Sequence, residues 1–191
     1  AYLARYQDGL RILDVSDVNS IQEIGHLPPE FPAEDEIYND VKLVEAGGST
    51  YAILASDLVG AVVVEVTDPA APTVVAHFGS PPVDGAAIGV HTLAVDAGRA
   101  YLGNPEVGLE IWDLADPRAP GYLGRWFHPG GQGYLHDLFV RGDRAYLNYW
   151  SDGMAIVDVA DPAAVQLIGN FAGYGQNTSH SSWVMDIAGK P

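Results

Sequence analysis

Four residues that could bind a metal ion or a polar ligand recur at one position of an internal sequence repeat. Aligned on a valine four residues later, this position holds Asp40, His91, His136 and His180. Imidazole and carboxylate groups are suitable ligands for zinc, manganese or iron. The chain has no cysteine, so thiolate metal sites and disulfides are excluded. Whether the four groups meet depends on the elements that carry them.

One segment that begins with glycine recurs four times in the chain, and we call it the repeated line. It reads GLRILDVSDVNS, GAVVVEVTDPAAP, GLEIWDLADPRAP and GMAIVDVADPAAV, and the copies start 51, 48 and 45 residues apart. Periods of this length are typical of propeller blades or helical solenoids. Helices are disfavoured, because no segment keeps a 3.6-residue apolar period for three turns and glycine or proline interrupts every 8 to 15 residues.

Each period contains four strand-like pieces. The last full period shows them as HDLFVRG, RAYLNYW, GMAIVDV and VQLIGNF. Several pieces are almost continuously apolar, which indicates that both faces of the sheet are covered. Radial stacking of sheets covers both faces, because each blade lies between two neighbours. The sequence therefore predicts an all-β chain, a β-propeller of four-stranded antiparallel blades with about four blades' worth of residues.

The repeat also sets the predicted blade boundaries. They are a partial blade at 1–28, blades at 40–78, 91–128 and 136–173, and a closing first strand at 180–187. The N-terminal piece lacks a first strand and the C-terminal piece supplies one. Two arrangements stay open: a ring closed on itself by pairing the N- and C-terminal strands, or a part of a larger ring.

The propeller gives the recurring polar position two interpretations. Innermost strands line the central channel, so Asp40, His91, His136 and His180 would converge near one rim and could bind a divalent metal or a small molecule. Alternatively, each side chain ties its own first strand to the preceding loop, because buried loop backbone needs hydrogen-bond partners. A larger ring would hold the four residues too far apart to share one ion.

Two acidic positions also recur after the third strand of each period. The first holds Asp14, Glu65, Asp113 and Asp158, and the second holds Asp17, Asp68, Asp116 and Asp161. Carboxylates three residues apart could share a calcium ion, but calcium loops gather more oxygen ligands at closer spacing. We therefore interpret these carboxylates as acceptors of backbone N–H groups in Asp-Pro turns.

Charge and motifs narrow the function classes. The formal net charge is −16, from 25 acidic and 9 basic residues, which disfavours nucleic-acid binding and favours a basic partner. No apolar run approaches the roughly 18 residues of a membrane span. A G-x-S-x-G nucleophile motif is absent from the sequence. Of the four tryptophans, Trp150 beside the SDG turn could be an outward binding anchor, and the others are predicted to lie in the core.

The lines GLRILDVSD, GLEIWDLADP and GMAIVDVADP, with the RAYL second strand, resemble the LVIVD-repeat family of bacterial and archaeal proteins. The resemblance implies a β-propeller, usually on proteins exported to the periplasm or cell surface. It implies no common reaction and no active-site residues. The chain begins at Ala1 without a signal-like segment, so we expect either a processed protein or a fragment.

Two functions from different classes follow. The first is a non-catalytic, extracytoplasmic interaction or scaffold module without a cofactor, an accessory subunit of a larger membrane-associated assembly. Its partner would be a basic or membrane-anchored protein. The alternative is a propeller that binds a divalent metal or a small molecule through histidines at the channel mouth, which leaves an enzymatic role open.

Overall fold

The computed structural model describes residues 1–30, 37–80, 88–105, 107–130, 134–172, 175 and 178–185. In these residues the chain forms fifteen strands in four antiparallel sheets, with one short 3-10 helix at Pro162–Ala164. Each sheet is a meander, because consecutive strands pair with one another. The predicted all-β class is therefore confirmed.

The first two sheets, called blades 1 and 2, are built from the first seven strands. Blade 1 contains β1 (Tyr2–Arg5), β2 (Gly9–Asp14) and β3 (Gln22–Leu27). Blade 2 contains β4 (Tyr38–Ala46), β5 (Ser49–Ser56), β6 (Gly60–Glu65) and β7 (Thr73–Phe78).

The last two sheets, blades 3 and 4, contain eight strands. Blade 3 contains β8 (Thr92–Asp96), β9 (Arg99–Asn104), β10 (Gly108–Asp113) and β11 (Gly121–Trp126). Blade 4 contains β12 (Asp137–Arg141), β13 (Arg144–Tyr149), β14 (Gly153–Asp158) and β15 (Gln166–Phe171). The repeated line is thus the third strand of each four-stranded blade and the turn after it.

Successive blades pack face to face. Leu10 of blade 1 shares an apolar cluster with Leu54 of blade 2, and Ile53 of blade 2 shares the next cluster with Leu102 of blade 3. A third cluster joins blades 3 and 4. The first strands lie side by side, since β8 contacts both β4 and β12. Blades stacked in this way around their first strands form a β-propeller, as predicted.

The described residues at the two chain ends form no ladder with each other. Among the described residues, β1 forms a ladder with β2 alone. The sequence predicts a first strand over 180–187, but residues 180–185 form no strand, and 186 and 187 lie outside the described residues. One isolated bridge joins Ser179 to Trp150. The equivalent bridge joins Tyr6 of blade 1 to Tyr38 at the start of blade 2, so Ser179 lies where the first strand of a following blade would begin.

The recurring carboxylates of the Asp-Pro turns accept backbone hydrogen bonds. Asp17, Asp68, Asp116 and Asp161 each accept the N–H two residues later, at 2.9 to 3.0 Å. Asp14, Asp113 and Asp158 make the same bond at 2.9 Å. Each second-position residue also closes a turn through its carbonyl. The turn interpretation accounts for these seven aspartates, whereas Glu65 at the first position pairs with Arg118 instead.

We expect Asp116→Ala to lower the free energy of unfolding by about 1 kcal/mol, because the Arg118 N–H loses its acceptor. Asp116→Asn is the matched control, since its amide oxygen can accept the same bond. Urea denaturation with and without calcium chloride measures both effects. Stabilisation of the wild type by calcium that Asp116→Ala removes would contradict the turn interpretation.

One carboxylate is buried between blades 2 and 3. Glu110, in the middle of β10, is 0% exposed. Ser80, which follows β7, donates its hydroxyl to Glu110, and the Trp112 indole N–H donates to the second carboxylate oxygen at 3.4 Å. Burial raises the pKa of Glu110 above its ordinary value of 4.5, although these hydrogen bonds oppose the shift. Folding therefore favours the protonated acid.

The raised pKa predicts how stability depends on pH. Glu110 stabilises the fold below about pH 4.5, and this contribution is lost as the pH rises through the folded-state pKa. We expect Glu110→Gln to be more stable relative to the wild type at pH 8 than at pH 4. Urea denaturation at both pH values measures the difference, with exposed Glu45→Gln as the control. An equal difference at the two pH values would contradict the prediction.

Candidate functional site

The first-strand histidines are held by backbone hydrogen bonds at one end of the channel. His91 directly precedes β8, and its N–H donates to the Gly103 carbonyl at 3.0 Å. His136 directly precedes β12, and its N–H donates to the Asn148 carbonyl at 2.9 Å. Each bond ties the start of a first strand to the second strand of the same blade. The position of each imidazole is therefore set by the blade.

The three imidazoles meet across the blades. The ring centroids of His91 and His136 are 4.8 Å apart, and those of His136 and His180 are 4.1 Å apart. His136 thus lies between the other two rings. The structure brings together the three histidines that the repeat placed in one position.

Asp40, the fourth predicted residue, is engaged elsewhere. It lines the same polar cavity as the histidines, but one carboxylate oxygen pairs with Lys42 and accepts the Val41 N–H. The other oxygen accepts the Leu93 N–H at 3.2 Å. Asp40 therefore ties β4 to β8 of the next blade, rather than tying its own strand to the preceding loop as the structural interpretation predicted. Lys42 is two residues away on the same strand, so the pairing follows from the period of a strand.

Two aromatic side chains complete the group of rings. Tyr134 lies 5.1 Å from His91, and Trp150 lies 4.5 Å from His136, measured between centroids. We call His91, Tyr134, His136, Trp150 and His180 the ring cluster. Both aromatic residues are 37% exposed, so the cluster is open to solvent. The sequence indicated Trp150 as an outward anchor, whereas nothing in the repeat pointed to Tyr134.

Trp150 is held in an unusual backbone conformation. Its φ is +33°, a region that bulky residues rarely occupy. The Trp150 carbonyl accepts the Ser179 N–H at 2.7 Å, which pins the residue against the segment that carries His180. Tyr6 at the same point of blade 1 accepts the Tyr38 N–H at 3.1 Å. Strained residues of this kind cluster at binding sites.

Hydrogen bonds define the proton positions on two imidazoles. Nδ1 of His91 lies 3.1 Å from the Asp57 carboxylate and also 3.1 Å from the Asn39 amide nitrogen. Nδ1 of His136 lies 3.2 Å from the His180 carbonyl. Because an ionised carboxylate and a carbonyl only accept, we assign the proton of each neutral ring to Nδ1, which requires the Asn39 amide to turn its oxygen rather than its nitrogen toward His91. Each Nε2 then carries a lone pair, and neither hydrogen-bonds another described residue.

Burial and neighbouring groups shift the pKa values of His136 and Tyr134. Burial, followed by the neighbouring His180 and His91, lowers the pKa of His136 below 6.5. Burial and then the Asp57 charge raise the pKa of Tyr134 to about 12. Both shifts favour the neutral form of the ring, and the charge of Asp57 acts on Tyr134.

Two adjoining cavities open at the ring cluster. One, the ring cavity, has a volume of about 400 Å³ and is lined by His91, Tyr134, His136 and Trp150. The other, the polar cavity, has a volume of about 430 Å³ and is lined by Asn39, Asp40, Lys42, His91, Thr92, His136, Asp137 and His180. His91 and His136 line both cavities. Together the cavities present ring faces on one side and charged or amide groups on the other.

The described residues contain no group of three or more His, Cys, Asp or Glu side chains arranged to hold a metal ion. The three rings are close, but the fourth predicted ligand, Asp40, is tied to Lys42. A metal at this mouth would therefore need the imidazoles to turn. The predicted metal residues Asp40, His91, His136 and His180 thus share a cavity without forming a preformed coordination sphere.

Comparison with protein-family models gives a match over two parts of the chain. Residues 1–27 and 132–173 match a family model described as the LVIVD repeat. These stretches contain blades 1 and 4, including Tyr134, His136 and Trp150 of the ring cluster. A comparison with curated proteins gives no match. Within the described ranges, no helix is long and apolar enough to cross a membrane.

Proposed function

We propose that this chain, whose LVIVD repeats build a β-propeller, is a non-catalytic binding module that acts outside the cytoplasm. The observation that carries the proposal is the open ring cluster at the channel mouth, where rigid strands and a strained Trp150 present several ring faces to solvent. Binding residues are commonly placed on loops that a rigid scaffold positions. The extracytoplasmic location rests on the family resemblance.

Among the described residues, no nucleophile is hydrogen-bonded to the histidines of the ring cluster, which favours a binding role over a catalytic role. The His91–Asp57 pair orients an imidazole as in many general bases. However, among the described residues no hydroxyl group hydrogen-bonds the Nε2 of His91 or His136. A nucleophile activated by either ring would need such a contact. The pair therefore serves to fix the ring in the proposed module.

The charge of the chain suggests the kind of partner. With a net charge of −16, the surface attracts basic partners and accelerates their association. We therefore propose that the ring cluster contacts a basic or membrane-anchored protein, and that the module is an accessory subunit of the assembly containing it. Aromatic side chains are common anchors at such interfaces.

Site-specific photo-cross-linking in the native host tests this assignment. A photoreactive residue replaces Ser151, which is exposed beside Trp150, and a control replaces exposed Glu45 at the far end of β4. We expect a basic protein to be captured from position 151 and not from position 45. Equal capture from the two positions, or none from position 151, would overturn the proposal. Adding Trp150→Ala to the variant with the photoreactive residue at position 151 should abolish the cross-linked product.

A divalent metal site is the second candidate, favoured by the 4.1 and 4.8 Å spacings of the three imidazoles. Nε2 lone pairs of His91 and His136 could coordinate zinc, manganese or iron once the rings turn. Elemental analysis of natively purified protein beside a His91/His136/His180→Ala variant decides between the candidates. One metal per chain, lost in the variant, supports the site. No metal, or equal metal in both samples, removes it.

A further inference from the structure

We propose that the ring cluster binds a protonated amine, with its ammonium group against the ring faces and its N–H groups donating to the imidazoles. This inference rests on the proposed assignment of the channel mouth as the binding surface, and it names the chemistry recognised there. The same chemistry could come from a free amine or from a lysine side chain of a partner.

Ring faces form the first part of the site. Four rings, those of His91, Tyr134, His136 and Trp150, line the ring cavity of about 400 Å³. Aromatic faces carry negative electrostatic potential and attract cations, most strongly in tryptophan. An alkyl chain also packs favourably on these faces because they are apolar. The cavity thus suits a cation with an aliphatic stem.

Hydrogen-bond acceptors form the second part of the site. The bonds of Nδ1 to Asp57 and to the His180 carbonyl leave unprotonated Nε2 atoms on His91 and His136. A neutral imidazole nitrogen accepts hydrogen bonds, and an ammonium group only donates them. A protonated amine can therefore satisfy these lone pairs, whereas an anion cannot.

The charges around the mouth also favour a cation. Asp40, Asp137 and Lys42 line the adjoining polar cavity, and Asp57 contacts His91. Lys42 pairs with Asp40, so the carboxylates of Asp57 and Asp137 remain without a cationic partner among the described residues. Buried or half-buried carboxylates attract an ammonium group more strongly than exposed ones, because water screens them less.

Protonation of His136 should oppose binding. The His136 ring contacts four other rings. His91 belongs to blade 3, His180 to the segment after blade 4, and Tyr134 and Trp150 to the same part of the chain as His136. Asp57, Asp137 and the Lys42–Asp40 pair are the other charged groups at the mouth. Charging His136, whose pKa is lowered by burial and by the neighbouring His180 and His91, removes an acceptor and adds repulsion. Affinity for an amine should therefore fall as the pH is lowered far enough to protonate His136.

NMR titration of the 191-residue chain with n-butylammonium chloride tests the inference at pH 8. The uncharged control is n-butanol, which has the same alkyl chain. We expect saturable shifts of the Trp150 indole N–H and the His136 amide with the amine and not with the alcohol. The Trp183 indole, 80% exposed and outside the cluster, should not shift. Equal shifts with the two compounds, or none with the amine, would overturn the inference.

Two variants locate the site. Trp150→Ala should weaken amine binding about tenfold, the scale of a desolvated cation–π contact, whereas Trp183→Ala should leave it unchanged. Asp57→Asn should also weaken it, and this variant keeps the shape of the side chain should Trp150→Ala unfold. If both variants fold and neither changes the affinity for the amine, the proposed site is contradicted. If Trp150→Ala does not fold, an unchanged affinity in Asp57→Asn alone contradicts it.

A lysine peptide distinguishes the two sources of the amine. A short peptide with one internal lysine should bind more tightly than n-butylammonium if a partner protein supplies the group, and more weakly if a free amine does. Cross-linking at position 151 without any amine binding would overturn the ammonium inference and leave the binding module standing. Amine binding without a cross-linked protein would overturn the proposal of a protein partner and leave the ammonium inference standing.

Discussion

Gly153→Ala is expected to lower the free energy of unfolding by roughly 3 to 5 kcal/mol. Gly153 has a φ of +88°, and a Cβ atom added there would lie 2.1 Å from the Phe171 carbonyl oxygen. Backbone strain alone costs about 1 to 2 kcal/mol, and the overlap with backbone forces β14 and β15 apart. Urea denaturation followed by circular dichroism measures the loss.

Gly142→Ala in the same blade is the matched control. Its φ of +58° is also in the left-handed region, but an added Cβ would meet nothing within 4 Å. We expect a cost of about 1 kcal/mol, from the strain alone. If the two variants lose equal stability, the close approach of β15 to Gly153 is not the reason why the repeated line begins with glycine.

The same contact explains why the repeated line begins with glycine in every blade. An added Cβ at Gly9 or Gly108 would lie 2.1 or 2.6 Å from a carbonyl oxygen at the end of the last strand of the same blade. At Gly60 the corresponding distance is longer, 2.9 Å. Each repeated line therefore starts where its strand must lie against the end of the last strand of the blade, which is a requirement of the frame and not of a binding site.

The blade architecture could be predicted from sequence because its causes are local and repeated. Leading glycines, apolar runs and Asp-Pro turns occur in register, and each satisfies a backbone requirement within about one strand of its position. Lys42 beside Asp40 is a further local cause, and it could have been recognised from spacing alone. The burial of Glu110 follows from its apolar run, but its donor Ser80 lies 30 residues away.

The composition of the ring cluster could be predicted only in part. His91, His136 and His180 share a repeat position, so their convergence follows from propeller symmetry. Tyr134 and Asp57 lie at unrelated repeat positions, and they reach the cluster through the paths of particular loops. For Trp183 the prediction from sequence was wrong. It was predicted to lie in the core, yet it is 80% exposed because residues 178–185 form no strand that a neighbouring sheet covers.

Gly124→Ala is expected to lower the free energy of unfolding by about 3 kcal/mol through the contact between blades 3 and 4. A Cβ atom added to Gly124, in the outer strand β11, would lie 2.0 Å from the Pro162 carbonyl oxygen in the Asp-Pro turn of blade 4. Gly25 meets Pro69 of blade 2 in the same way, at 1.8 Å. Overpacking of a fixed contact has a cost of this size.

Gly121→Ala in the same strand separates this contact from the general effect of a side chain. The nearest atom to its added Cβ is the Asp113 Cβ at 3.7 Å, an ordinary contact. Alanine usually stabilises a strand relative to glycine by up to about 1 kcal/mol, so Gly121→Ala should be neutral or stabilising. Neither glycine has a positive φ, so backbone strain cannot produce the difference. Similar stability of the two variants would mean that the turn of blade 4 does not rest on blade 3, and the stacking that positions the ring cluster would lose its support.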